Sequence, residues 1–155
     1  MWHSCVNVPI SSHFRGKPEL RKVFDKYAAL ARRCARTRIT IYAQKSRIVF
    51  QARARYAGCM VRKDHLEGGV WFKRRVEHPR FHRILHIPPH DYAHYFRLRS
   101  VDDVDAHLAK LLRAAYRTGM QEHLRPARRS AAVRRKRTSR SPKKSARHGA
   151  VSARR

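Results

Sequence analysis

Apolar residues recur at three- and four-residue steps through Leu20, Val23, Phe24, Tyr27, Ala28, Ala31 and Cys34. That spacing gathers them on one face of a helix and predicts a helix over 18–34. Pro18 suits its first turn, where the backbone N–H has no partner to lose. Beyond Cys34 the period changes. Residues 37–63 are rich in β-branched and aromatic side chains, which predicts strands near 38–43, 46–55 and 56–63. Gly68-Gly69 predicts a turn or bulge, and Val70-Trp71-Phe72-Lys73 a strand after it. Pro79 and Pro88-Pro89 predict breaks, with a last strand over 92–99. Ser100-Val101-Asp102-Asp103 then has the chemistry of a helix start: a hydroxyl to cap free amides, and acids at the positive end of the dipole. Val104, Leu108, Leu111, Leu112, Ala115 and Met120 supply its buried stripe. The sum is an α+β, two-layer domain in which N- and C-terminal helices cover one face of an antiparallel sheet.

Three segments follow. Residues 1–16 are polar and irregular, 17–124 form the α+β domain, and 125–155 turn to low complexity, for which a disordered basic tail is expected. Charge sharpens the last boundary. The 155 residues carry 38 Lys and Arg against 10 Asp and Glu, net +28. Residues 125–155 hold 13 of the basic residues and none of the acidic ones, so 1–124 are still +15. An unopposed +13 cannot collapse on itself and seeks polyanions, nucleic acid foremost, through salt-sensitive counterion release. Within it, Arg134, Arg135, Lys136, Arg137, Lys143 and Lys144 are the expected phosphate contacts. Arg outnumbers Lys 28 to 10, a bias that a GC-rich genome produces unaided and that discounts Arg count as a functional signal. No apolar run approaches the ~18 residues of a membrane span, and Met1-Trp2-His3-Ser4-Cys5 holds no signal-peptide stretch. The three cysteines, Cys5, Cys34 and Cys59, are odd in number and far apart, which favours a reducing cytoplasm over a disulfide framework.

Alternation over Lys45-Ser46-Arg47-Ile48-Val49-Phe50-Gln51-Ala52-Arg53-Ala54-Arg55 assigns two faces. Ile48, Phe50, Ala52 and Ala54 point to the helices, while Lys45, Arg47, Gln51, Arg53 and Arg55 point away. Lys63, Lys73, Arg75, Arg97 and Arg99 are further candidates for that open face, with Trp71 and Tyr95 interleaved. A cationic sheet face with aromatics can follow phosphates and stack bases. A merely solvated face in an Arg-biased chain is the plainer reading. Lys45, Arg47, Arg53 and Arg55 are the folded candidates for nucleic-acid contact.

His78, His82, His86, His90 and His94 fall every fourth residue. The prolines forbid one helix through them, and on a strand residues four apart stand ~13 Å from each other. Two such histidines do not share one ion with bonds of ~2 Å. His94, between Tyr92 and Phe96, reads as a partly buried structural residue. Phosphate-binding loops, dinucleotide glycines, the G-x-S-x-G elbow and H-E-x-x-H are all absent, and Asp64, Glu67, Glu77 and Asp91 stand isolated. The expectation is a chain without catalytic residues, metal or cofactor.

One resemblance spans about a hundred residues. Its carriers are His13-Phe14-x-Gly16-Lys17, then Lys45-Ser46-Arg47-Ile48-Val49-Phe50-Gln51, and Tyr56-Ala57 with Arg62-Lys63-Asp64-His65-Leu66. They continue through His78-Pro79-Arg80-Phe81, His94-x-Phe96-x-Leu98 and Ala115-Tyr116. In order and spacing they resemble a bacterial family known only as domain of unknown function 5655. The resemblance implies an α+β fold with terminal helices, and relatives sometimes joined to restriction-type nuclease regions. It implies no established activity, and it singles out Lys45 and His94 as matching polar positions. Similar chains begin with a small zinc ribbon, and Trp2-His3-Ser4-Cys5 resembles its last part without the first cysteine pair. Two ligands do not close a tetrahedral site, so no zinc is expected. An upstream in-frame C-x-x-C would mean a start codon assigned too late; a stop codon there would mean a true truncation. Ser141-Pro142-Lys143-Lys144 is similar to the S-P-K-K elements of linker-histone tails, associated with the AT-rich minor groove. Three functions stay open: a nucleic-acid-associated binding domain, a protein-interaction or small-anion module, and an enzyme acting on nucleic acid.

Overall fold

The computed structural model describes residues 7–124. The N-terminal Trp2-His3-Ser4-Cys5 segment and the basic run 125–155 lie outside the described residues. Helix α1 spans Pro18–Cys34 and α2 Ala106–Gly119. The strands are β1 (Asn7–Val8), β2 (Thr40–Gln44), β3 (Ile48–Gln51), β4 (Arg55–Val61), β5 (Leu66–Phe72), β6 (Arg83–Ile87) and β7 (Asp91–Leu98). They form one antiparallel sheet in the order β1-β2-β3-β4-β5-β7-β6. The α+β class and the two terminal helices stand as the sequence predicts.

The 18–34 pattern folds as read. Leu20, Val23, Phe24, Tyr27, Ala28, Ala31 and Cys34 are all buried, and Pro18 opens the helix. Their partners are the sheet residues of one parity: Ile48 and Phe50, Ala57 and Cys59, Leu66, Val70 and Phe72, Phe96 and Leu98. Tyr27 meets Phe50 at 4.9 Å and Phe96 edge-on at 6.1 Å. Leu108, Leu112 and Ala115 of α2 are fully enclosed, each leucine contributing about 1.5–3 kcal/mol by leaving water. Burial also pushes the Cys59 thiol up to about 12, so it packs as a small apolar group.

Four local expectations change. Helix α2 begins at Ala106, after a 3-10 turn (Val101–Asp103), because Asp105 rather than Ser100 is its N-cap. The Asp105 carboxylate accepts the Leu108 N–H at 2.9 Å, while Asp103 accepts the N–H groups of Arg99 and Ser100. Gly68 and Gly69 lie inside β5 rather than in a turn. There the Gly68 Cα faces the Phe96 ring so closely that an added Cβ would stand 2.3 Å from it. The single strand read over 46–55 is cut in two: β3 ends at Gln51 and the chain turns back at 52–54 into β4. Finally, β6 has no counterpart among the predicted strands. It lies on the sheet edge, reached by a connection over 73–82 that skips one position before β7 returns beside β5. Val76 and Phe81 of that connection pack on the core, and Phe81 stacks near His94 at 4.9 Å.

Candidate nucleic-acid interface

The second parity of the sheet faces away from both helices. Pairing brings Tyr42, Val49, Gly58, Gly69, Tyr95 and Arg83 into one row across six strands. Trp71 and Ala93 stand together in the next row. Two glycines stand side by side in the middle of this face, and the neighbouring side chains close over them, since both are buried. The Gly58 position is too close to the Ile48 carbonyl for any Cβ, at 2.4 Å, whereas a Cβ at Gly69 would make ordinary contact with Tyr95 at 3.6 Å. Above the two glycines remains a hollow of only about 30 Å³, walled by Arg47, Met60, Glu67, Trp71 and Tyr95.

A larger cleft of about 410 Å³ adjoins it, and Arg47 and Trp71 line both. Its other walls include Val49, Arg55, Ile87 and Asp91 from the sheet, and Lys73 just past β5. The last wall comes from beyond α2. Helix α2 ends at Gly119, whose carbonyl accepts the Ala54 N–H at 2.8 Å and so fastens the helix end to the β3–β4 turn. Gln121 then adopts φ 59°, the left-handed region where glycine is usual after a helix, and reverses the chain. A 3-10 turn (Glu122–Leu124) follows, and Gln121, His123 and Leu124 close the cleft.

Charge is distributed unevenly around the cleft. Lys73 pairs with Asp91 at 2.7 Å. Glu67 is buried on the open face, where it accepts two bonds from Arg62, at 2.6 and 3.1 Å. His82 lies 3.3 Å and Arg83 3.8 Å from its other oxygen. Burial raises the Glu67 pKa, but the Arg62 hydrogen bond and charge, aided by Arg83 and His82, outweigh it and hold the carboxyl below its usual value. The Arg83 guanidinium lies over the Tyr95 ring at 4.3 Å. Arg55 lies 6.0 Å from the Tyr42 ring. All ten Asp and Glu side chains fall within the described residues, and among those residues none pairs with Arg47 or Arg55. The cleft therefore offers two uncompensated guanidinium groups beside an indole.

Of the four folded candidates, Arg47 and Arg55 meet at this cleft. Lys45 does not: it occupies the two-residue turn between β2 and β3, where the Gln44 N–H donates to the Arg47 carbonyl at 2.8 Å. Arg53 sits in the opposite turn, between β3 and β4. The two are exposed at opposite ends of β3, because strand alternation holds only for Ile48–Gln51. Arg134, Arg135, Lys136, Arg137, Lys143 and Lys144 lie outside the described residues. Trp71 and Tyr95 take the open face as read. Ile87, Gln121, His123 and Leu124 have no functional signal in the sequence, since only the wrap of the α2 end and the edge position of β6 bring them there, whereas Val49 comes with the alternation of β3.

The histidine series disperses. His78 accepts the Arg80 N–H, His82 faces Glu67, His86 stacks on Tyr92 at 4.7 Å, and His90 is in the β6–β7 turn. His94 is fully buried rather than partly so, donating from Nδ1 to the Tyr92 carbonyl at 3.2 Å and accepting the Val76 N–H on Nε2 at 2.9 Å. That pair of bonds requires the neutral ring, and burial first of all lowers its pKa. Its place is to hold the 73–82 connection against the core. Among the described residues no three His, Cys, Asp or Glu side chains converge as metal ligands, and no helix is long and apolar enough to cross a membrane.

No curated protein and no solved structure matches the chain. Residues 10–119 match the model of the family described as Domain of unknown function (DUF5655), and over that span, well beyond half its length, the chain belongs to this family.

Proposed function

We propose that the protein is a non-enzymatic, nucleic-acid-associated binding module whose cleft and basic run engage the same polyanion. The observation that carries this reading is one of connectivity. Leu124 lines the cleft, and the +13 run starts at the next residue, Arg125. Arg47 and Arg55 thus line the same cleft as Leu124, after which, in sequence, 13 further cations follow. Phosphates would be held by Arg47 and Arg55 in the cleft, and by residues such as Arg134, Arg135, Lys136, Arg137, Lys143 and Lys144 beyond it. A cytoplasmic, nucleoid-associated location fits this reading.

Fluorescence anisotropy with a labelled 30-base-pair duplex tests it, comparing the full chain, residues 1–124, and full-length Arg47→Glu/Arg55→Glu. Both altered proteins are expected to bind more weakly at low salt. Equal affinity for 1–124 rejects the role of the basic run; equal affinity for the double variant rejects the cleft.

The size of the cleft favours a second reading, a module for a small anion. About 410 Å³ lies within the usual 300–1,000 Å³ of small-molecule sites, and aromatic and basic walls suit an anionic ligand. Saturable binding of a nucleoside monophosphate to residues 1–124, with no gain for longer oligonucleotides, would favour it over the first.

A further inference from the structure

We propose that the open sheet face takes unpaired bases, making single-stranded nucleic acid the preferred ligand over duplex. This rests on the nucleic-acid reading above and names its substrate class. Three observations carry it.

Trp71 is half-buried and lines the cleft of about 410 Å³, so the indole is reachable from there. Tyr95 walls the hollow on the far side, its ring backed by the Arg83 guanidinium at 4.3 Å. Trp71 and Tyr95 are diagonal neighbours on paired strands, a separation of roughly 7–8 Å between backbones. The two other positions of that square, Gly69 and Ala93, are buried, and the Tyr95 ring lies 3.6 Å from where a Gly69 Cβ would stand, so the room for a base is on the cleft side of Trp71. Trp71, half-buried in the wall of that cleft, is the stacking platform. In a duplex the base faces are hidden against one another; only an unpaired base can present its π-face to an indole.

The cations fit the same ligand. Arg47 lines the hollow and the cleft alike, and Arg55 stands further along the cleft, neither matched by a carboxylate. Positive charge thus follows the path of the aromatics, as a backbone threaded past stacked bases requires. The wall of Met60, Val49 and Ile87 adds apolar surface that a phosphate-only site would not need.

The test uses the full chain with Trp2→Phe, which leaves Trp71 as the single tryptophan. It is titrated with a 12-base oligothymidylate and with a 12-base-pair duplex at the same salt. Trp71 fluorescence should be quenched to saturation by the single strand only, which should bind at least ten times more tightly. Trp71→Ala removes the platform, and Trp71→Phe keeps an aromatic face there; both are read by anisotropy of a labelled strand. The alanine should weaken single-strand binding about 5- to 100-fold, the range of a lost base–aromatic stack, and the phenylalanine should recover most of that loss. Urea melts establish that the variants fold. Equal affinity for both forms without quenching overturns the strand preference and leaves the nucleic-acid reading standing. So does a folded Trp71→Ala chain that binds the single strand within twofold of the parent. Failure to bind either form overturns both.

Discussion

Gly68 and Gly69 are adjacent in β5, yet they serve opposite faces and their substitutions should differ in sign. Alanine at 68 drives a methyl into the Phe96 ring, which is packed against the core and cannot retreat. Overpacking of that kind costs about 1–3 kcal/mol. Alanine at 69 meets Tyr95 at ordinary contact distance, so Gly69→Ala should be neutral or stabilising by up to ~1 kcal/mol through reduced chain entropy. Urea midpoints of the two variants check this; equal losses would show the space above Gly69 to be closed. His94 supplies a second expectation. Its folded pKa lies below the ordinary 6.5, so the unfolded chain takes up the proton first as the medium acidifies. The stability it confers is whole above about 6.5 and is lost as pH falls from there toward the folded value. Arg75 lowers that value further and Glu77 opposes it. His94→Gln should cost about 1–3 kcal/mol at pH 7.5 if the Val76 N–H goes unpaired. The drop in urea midpoint between pH 7.5 and pH 5 should also be smaller in the variant than in the parent. An identical drop would remove His94 from the account.

Among the elements, α2 depends most on single residues at its ends. Asp105 caps its first turn and also receives the Arg80 guanidinium at 2.5 Å, while another Arg80 nitrogen donates to the Asp103 carbonyl at 2.7 Å. One carboxylate thus starts the helix and pins the 73–82 connection beside it. Asp105→Ala should destabilise by about 1–2 kcal/mol, mostly the lost cap, since the ion pair is partly open to solvent and discounted accordingly. Asp105→Asn keeps the cap and should recover most of that loss in the same denaturation experiment. If alanine and asparagine fall together, the ion pair rather than the cap is the main term. The helix start was misplaced by five residues in the sequence because Ser100 and Asp105 both carry capping chemistry. Asp103 closes a 3-10 turn first, and the local string of acids does not say which turn continues. The β6 strand was missed for a different reason. Arg83-Ile84-Leu85-His86-Ile87 is mostly exposed on the sheet edge, so its apolar residues do not mark a buried face.

At the level of the whole molecule, charge separates into a folded +15 and a +13 run, and ionic strength should resolve them. If the run neutralises about six phosphates, the log–log salt slope on duplex DNA is about −5. Residues 1–124 should show a slope shallower by most of that amount. In residues 1–124, Arg47→Glu/Arg55→Glu should weaken binding further, whereas Lys45→Glu/Arg53→Glu should do less, because neither of those side chains lines the cleft. The same loss from both pairs would make the contact a diffuse charge effect rather than a site.

What the sequence determined alone is what periodicity and covalent order encode. The span of α1 and its buried face, the α2 stripe, the Ile48–Phe50 orientation and the outward placement of Trp71 and Tyr95 all follow from a 3.6- or 2-residue repeat. The division of charge at Arg125 is likewise a property of the linear chain. Tertiary structure decided whatever depends on non-local pairing. It cut the Lys45–Arg55 run at a turn fastened by the Gly119 carbonyl, moving Lys45 and Arg53 away from Arg47 and Arg55. It placed β7 between β5 and β6, and it buried His94 beneath a connection whose course no local pattern states. The cleft belongs to that second class. Its walls come from β3, β4, β5, β6, β7 and the turn after α2, residues separated by up to 77 positions, and only the folded chain brings them to one surface.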